Sequence, residues 1–187
     1  MLLTKFKTYS SYVIRHKWFV FIECCKLGIP IQGIIHDISK LLPDEFFPYM
    51  NYFGSGIKKG SDKTGYYKPT DSGDKKFDHA WFLHQKRNAH HWQYWCFPCD
   101  NDDIDALKIL EMPIKYRKEM VADWRGAGRA QGTPNTLNWY TNNCNKFHLG
   151  PKTRKWVENE LGYIPMYKDF IKVEQHGTHH KVPIYDA

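Results

Sequence analysis

Apolar side chains recur along this chain at spacings near 3.6 rather than 2, a period that predicts helices almost throughout. Over residues 3–26 the pattern is carried by Phe6, Tyr9, Val13, the Trp18–Phe19 pair and Cys24, and Gly28 and Pro30 end it. A second helix is predicted over about 32–41, stopping near Pro43. Asp44 and Glu45 then suit the first turn of a third, aromatic-rich helix reaching about 53. Residues 54–75 break the period with Gly54, Gly56, Gly60, Gly65, Gly73 and scattered lysines, as a surface loop long enough to be a lid would. A fourth helix covers roughly 76–95. The polar run PCDNDD at 98–103 leads to a short segment around 104–111, and further helices follow over about 113–125, 134–146 and 151–161. Beyond 163, Pro165 and Pro183 interrupt a stretch of weak periodicity that reads as an extended arm. The expectation is an all-α fold: a helical bundle over 1–162 with a Gly/Lys-rich insert at 54–75, then an irregular C-terminal extension over 163–187.

Composition narrows this picture only in part. A length of 187 residues and a hydrophobic fraction of 42% suit one domain with a real core. The most apolar stretch, WFVFIECC at 18–25, is too short to span a membrane and contains Glu23. No secretory leader is evident, so the chain reads as a cytoplasmic protein. The net charge of +7 favours anionic partners, small molecules or nucleic acid, without choosing between them. Five cysteines form no disulfide ladder and read as free thiols, the CFPC pair at 96–99 having no second pair to complete a zinc site.

The histidines change the picture most. Six of the ten fall between residues 16 and 91. On a continuous fourth helix His84, Asn88 and His91 share one face, and His90 borders it. Clustered inward-facing imidazoles are hard to satisfy by packing, since each has two ring nitrogens to pair and the charged forms repel. A divalent cation removes both difficulties. His36 and Asp37, adjacent after the apolar Ile34–Ile35, can reach two sides of one ion or two neighbouring ions. His16 can close the shell from the first helix, and Asp123 is a carboxylate in the otherwise apolar run Met120–Trp124. Together His16, His36, Asp37, His84, His90, His91 and Asp123 are the candidate ligands for one or two transition-metal ions, of Mn, Fe, Ni, Co or Zn type. The trailing HGTHH at 176–180 reads as exposed tail, and His148 as ordinary loop chemistry.

The order H…HD…H…HH…D, with HD followed by Ser39-Lys40, resembles the HD-domain metal-dependent phosphohydrolase superfamily in its binuclear branch. On that resemblance His16 matches the opening histidine, His36 and Asp37 the name-giving pair, His84 the middle histidine, His90–His91 the doublet and Asp123 the closing aspartate. The glycine-tyrosine-proline signature of the cyclic-dinucleotide branch is absent after the doublet, so that substrate is not implied. A second likeness, to a family of small bacterial and phage proteins without an established activity, spans about residues 10–162. Its landmarks are HDxSK with Glu45-Phe46, AWxxHxxxNxHHW at 80–92, and Asp123-Trp124.

The resemblance implies hydrolysis of a nucleotide or another small phosphate ester. Metal-activated water would attack phosphorus, with Asp37 bridging the ions or orienting the nucleophile. Lys40 is the first choice for a phosphate donor and a catalytic group, with Asn88, Arg15, Lys86, Arg87 and Arg125 as further candidates. Glu45 is a ligand, a base or a first-turn acid. Tryptophans at helical spacing are expected to pack the core, while Tyr66 and Tyr67 in the insert are placed to meet a ligand. Two other classes stay open: a di-iron oxygenase on the same scaffold, and a basic helical module binding nucleic acid or protein around a structural metal.

Overall fold

Helices form where the apolar period predicts them, and the places where they stop are what shape the site. The computed structural model describes residues 2–54, 72–99, 107–164 and 184–185. Most of the insert at 54–75, including Tyr66 and Tyr67, lies outside the described residues, as do the 176–180 histidines and most of the 163–187 extension. Among the described residues there are seven α-helices: α1 (Leu2–Lys26), α2 (Pro30–Ile35), α3 (Pro43–Phe53), α4 (Lys75–Arg87), α5 (Ile114–Gln131), α6 (Thr136–Asn143) and α7 (Pro151–Leu161). The fold is all-α, and no helix is long and apolar enough to cross a membrane. The five cysteines are free.

One small sheet is an addition to the helical expectation. Strand β1 (Cys96–Pro98) pairs antiparallel with β2 (Leu107–Leu110), and β2 pairs in parallel with the two-residue β3 (Ile184–Tyr185). These runs are too short to display an alternating pattern.

Three corrections concern helix ends. The predicted helix over 32–41 is two pieces: α2 ends at Ile35, and a 3₁₀ turn follows at Ile38–Leu41. Between them Asp37 adopts a left-handed conformation (φ 53°, ψ 29°), which aspartate tolerates better than most residues. The predicted helix over 76–95 ends at Arg87. Asn88 leaves helical geometry there, and its side-chain amide donates to the His84 carbonyl at 2.8 Å. A second 3₁₀ turn, Trp92–Trp95, begins only after His90 and His91. Conversely, α5 runs past its predicted end near 125, straight through Gly126 and Gly128.

Gly126 is a packing residue rather than a breaker. A Cβ there would lie 2.5 Å from Val20 Cγ2 and 2.7 Å from the Val20 backbone nitrogen, so glycine is what lets α5 lie against α1. Gly33 does the same for α2, where a Cβ would fall 2.9 Å from Phe21 Cα. These two approaches bring the end of α2 and the middle of α5 to the same stretch of α1. Buried clusters flank the junction. Tyr9, Val13, Tyr49, Met50, Tyr52, Phe77 and Ala80 join α1, α3 and α4. Met120, Val121, Tyr140, Phe147 and Val157 pack α5 to α7 together, with Trp92, Trp124 and Trp139 against them.

Candidate metal centre

His16 projects from the buried face of α1, one turn beyond Tyr12, whose ring stacks on it at 5.8 Å. His36 and Asp37 come from the break after α2, His84 from the last turn of α4, His90 and His91 from the turn beyond it, and Asp123 from the middle of α5. All seven predicted ligands meet. His16, His36, Asp37, His84 and His90 are each at most 2% exposed.

The seven sort into two sets that share one carboxylate. In the first, Asp37 Oδ2 lies 3.4 Å from His16 Nε2 and 3.3 Å from His36 Nε2. Asp123 Oδ1 stands 3.2 and 3.4 Å from the same two nitrogens. In the second, Asp37 Oδ1 lies 3.3 Å from His84 Nε2 and 3.4 Å from His90 Nε2, and His91 completes the group. Within each set one ligand atom per residue lies within 4.8 Å of every other. These separations suit donors around a common ion as well as direct pairing of rings with carboxylates. His16 Nε2, His36 Nε2, His90 Nε2, His91 Nε2 and Asp37 Oδ1 are buried with no hydrogen-bond partner. Five orphaned donor atoms at one spot would be costly unless something fills it, and their nitrogen and oxygen chemistry fits a divalent transition metal.

Of the opposite ring nitrogens, those of His36, His90 and His84 face a carboxylate, while His16 Nδ1 is buried without a partner. Glu119 Oε1 sits 3.1 Å from His36 Nδ1 and 3.2 Å from His90 Nδ1, while its Oε2 accepts from Gln32 Nε2 at 2.9 Å. Glu45 Oε2 sits 2.9 Å from His84 Nδ1 and accepts from Ser39 Oγ at 2.9 Å. Arg87 donates to Glu45 Oε1 at 2.9 Å. Such carboxylates accept a hydrogen bond from Nδ1–H and leave the Nε2 lone pair free for a metal. Glu45 thus stands behind a candidate ligand rather than in either candidate set. Nothing in the apolar period marks Glu119, although its place four residues before Asp123 sets both on one face of α5.

The electrostatics follow from crowding. Burial alone would raise Asp37, but His36, Lys40, His84 and the His16 contact outweigh it and hold the carboxyl well below its usual range. Asp123 is likewise held well down, against burial, by His16 and His36. Glu119 falls to about 2, the hydrogen bonds of His36 and His90 overcoming its burial. Burial lowers His84, and burial with the neighbouring His90 and His84 lowers His91 further. That favours the neutral form of both rings, the form in which an imidazole can bind a metal.

The predicted substrate groups separate. Lys40 and Arg15 line a cavity of about 750 Å³ that has His16, His84, His90, His91 and Asp123 in its wall. Lys40 Nζ also donates to Asp37 Oδ2 at 2.6 Å. Its route there is the left-handed turn at Asp37, not the continuous helical face expected. Asn88 donates to Ser39 Oγ at 2.7 Å and to the His84 carbonyl, bracing the second set of ligands. Arg87 is committed to Asp44 and Glu45, and Arg125 to Glu160 at 3.0 Å; neither lines the cavity. Lys86 donates to the Gln93 carbonyl. Unexpectedly, tryptophans enter the cavity wall: Trp81, Trp92, Trp124 and Trp139.

No curated protein and no solved structure matches this chain. Residues 5–163 match DUF5662, a family of unknown function, and the chain belongs to that family.

Proposed function

We propose that this protein is a metal-dependent phosphohydrolase acting on a small phosphate ester, with two divalent transition-metal ions side by side. His16, His36, Asp37 and Asp123 would hold one ion, and Asp37, His84, His90 and His91 the other. The observation that carries the reading is the division of Asp37, whose two oxygens each face a separate set of buried, unpaired ring nitrogens. The chemistry such a pair supplies is Lewis acidity, which makes water nucleophilic near neutral pH and offsets charge on phosphoryl oxygens.

The chain's own residues do the rest. Glu119 and Glu45 fix the tautomers of three ligand rings. Lys40, a cation beside Asp37 whose pKa is raised because Asp37 outweighs its burial, stays charged and faces the cavity, where it can meet an outer phosphate oxygen. Half-buried Tyr12, Trp81 and Trp124 line the cavity beside the reacting centre, where their rings would limit the water around it. A cavity of about 750 Å³ is the size of a small-molecule site rather than a track for a strand of nucleic acid. Its aromatic walls and the amides of Gln93, Asn138 and Asn142 suit a planar, hydrogen-bonding group such as a nucleobase on the ester. The ligand order H…HD…H…HH…D, which resembles that of HD-domain phosphohydrolases, supports the same reaction class.

The test begins with metal content. Protein purified without chelator should carry about two equivalents of Mn, Fe, Co, Ni or Zn, and Asp37→Ala should lose most of both because one side chain serves both sets. The parent should hydrolyse p-nitrophenyl phosphate or a nucleoside monophosphate, and the variant should not. A parent that takes up no metal even after soaking would sink the proposal.

A further inference from the structure

Bordering the second ligand set, the cavity wall carries hydrogen-bond donors that have nothing to donate to. Tyr9 and Tyr49 are 2% and 5% exposed, and both hydroxyls are buried without a partner, as is the indole nitrogen of Trp81. All three residues line the cavity. Tyr49 stands 5.9 Å from the His84 ring, Trp81 stands 5.7 Å from His84 and 5.4 Å from His91, and Tyr9 is 6.3 Å from Tyr49, centroid to centroid. Each is fixed by a helix that also serves the centre. Tyr9 lies two turns before His16 on α1, Tyr49 one turn after Glu45 on α3, and Trp81 three residues before His84 on α4.

Their chemistry is one-sided. An indole N–H only donates, and burial pushes both phenols far up, so they stay protonated and offer O–H. Buried donors of this kind are normally paired, and a neighbouring trio left open points to a ligand that brings acceptors. Lys40, which lines the same cavity, adds a positive charge. We propose that Tyr9, Tyr49 and Trp81, together with Lys40, form an oxyanion cradle for the outer oxygens of a single tetrahedral phosphate, which makes the substrate a phosphate monoester.

This rests on the phosphohydrolase reading and narrows it. Three terminal oxygens of a monoester give the cradle its acceptors, whereas a diester has one fewer. Among the described residues only Arg15 and Lys40 bring full positive side-chain charge to the cavity wall, and Lys40 is shared with Asp37. A di- or triphosphate adds charge that neutral hydroxyls and an indole cannot balance, and sites for such groups rely on arginine and lysine.

The experiment uses the full chain loaded with Mn, as parent, Tyr9→Phe, Tyr49→Phe and the double variant. Inorganic phosphate and pyrophosphate are titrated calorimetrically, and bound metal is counted in every sample. Each Phe variant should bind phosphate about tenfold more weakly, the usual effect of losing one hydrogen bond to a charged group. Metal content should not change, and the Tm should hold or rise, because each substitution removes an unpaired hydroxyl. Pyrophosphate should bind the parent no tighter than phosphate does. If metal is bound but the double variant matches the parent for phosphate, or pyrophosphate binds much more tightly, the cradle is wrong while the metal centre stands. A parent without metal overturns both.

Discussion

Glu119 does not line the cavity, yet from behind two candidate ligand rings it should control both ions. Its Oε1 stands behind His36, which belongs to the first ligand set, and behind His90, which belongs to the second, at 3.1 and 3.2 Å. Removing a carboxylate that holds a ligand imidazole typically weakens metal binding by about 10–100-fold. Because one oxygen serves a ring in each set, Glu119→Gln should weaken both ions by about that factor, or ~1.4–2.7 kcal/mol each. Glu45 is the internal contrast. It stands behind His84 alone, at 2.9 Å, so Glu45→Gln should weaken only the second ion. The assay is competition of Zn or Mn against a chromophoric chelator, fitted for two sites, on parent and both variants. Loss of one ion in the Glu119 variant, equal loss of both in the Glu45 variant, or affinities within about threefold of the parent would each refute the reasoning.

Other consequences are simpler to measure. The folded pKa of Glu119, about 2, is lower than its unfolded value, so its contribution is fully present above the unfolded value and lost as pH falls towards 2. Metal-free protein should therefore lose roughly 3 kcal/mol between about pH 5 and pH 2 through this residue. Melts across that range should flatten in Glu119→Gln. Gly126→Ala forces a methyl against Val20 and should cost about 1–3 kcal/mol, lowering the Tm by several degrees; an unchanged Tm would mean α1 and α5 are not in close contact. Lys40→Met should retain both ions while cutting kcat by about 100-fold, as expected when a charge facing the transition state is removed; loss of metal instead would make Lys40 a support for Asp37 alone.

How much of this was legible in the sequence turns on the difference between residue type and backbone path. Histidines and carboxylates in an apolar setting announce themselves, because only pairing or a metal offsets their burial. The seven residues that come together here are legible that way, and α3 and α7 match their predicted bounds closely. The arrangement that lets the ligands meet was not found. On a continuous helix, at about 100° per residue, His84 and His90 would point some 120° apart and His90 and His91 could not face one site together. The chain solves this by stopping α4 at Arg87, and the signal was Asn88, a residue that readily leaves helical geometry and caps with its amide. Asp37 poses the same problem beside His36, and a left-handed backbone solves it. The predicted end near 125 differs in the opposite sense: α5 runs on through Gly126, whose missing side chain makes room for Val20.

These errors share one cause. A regular helix distributes its side chains evenly around an axis, so it delivers at most one or two ligands per turn to a point beside it. Seven donors around two points that share Asp37 demand that some backbone be irregular. The irregular places here are the His36–Asp37 break and the turn through His90–His91. The regular parts of α1 and α5 supply single candidate ligands, His16 and Asp123, and α5 adds Glu119 one turn away. Periodicity measures burial and cannot register a break that leaves burial intact, as both of these do: His36, Asp37 and His90 are as buried as any core residue. The aromatic wall escaped for a related reason. Tyr9, Tyr49 and Trp81 fall on core-facing positions of their helices, and only the unpaired hydroxyls and indole nitrogen distinguish a cavity lining from a packed interior.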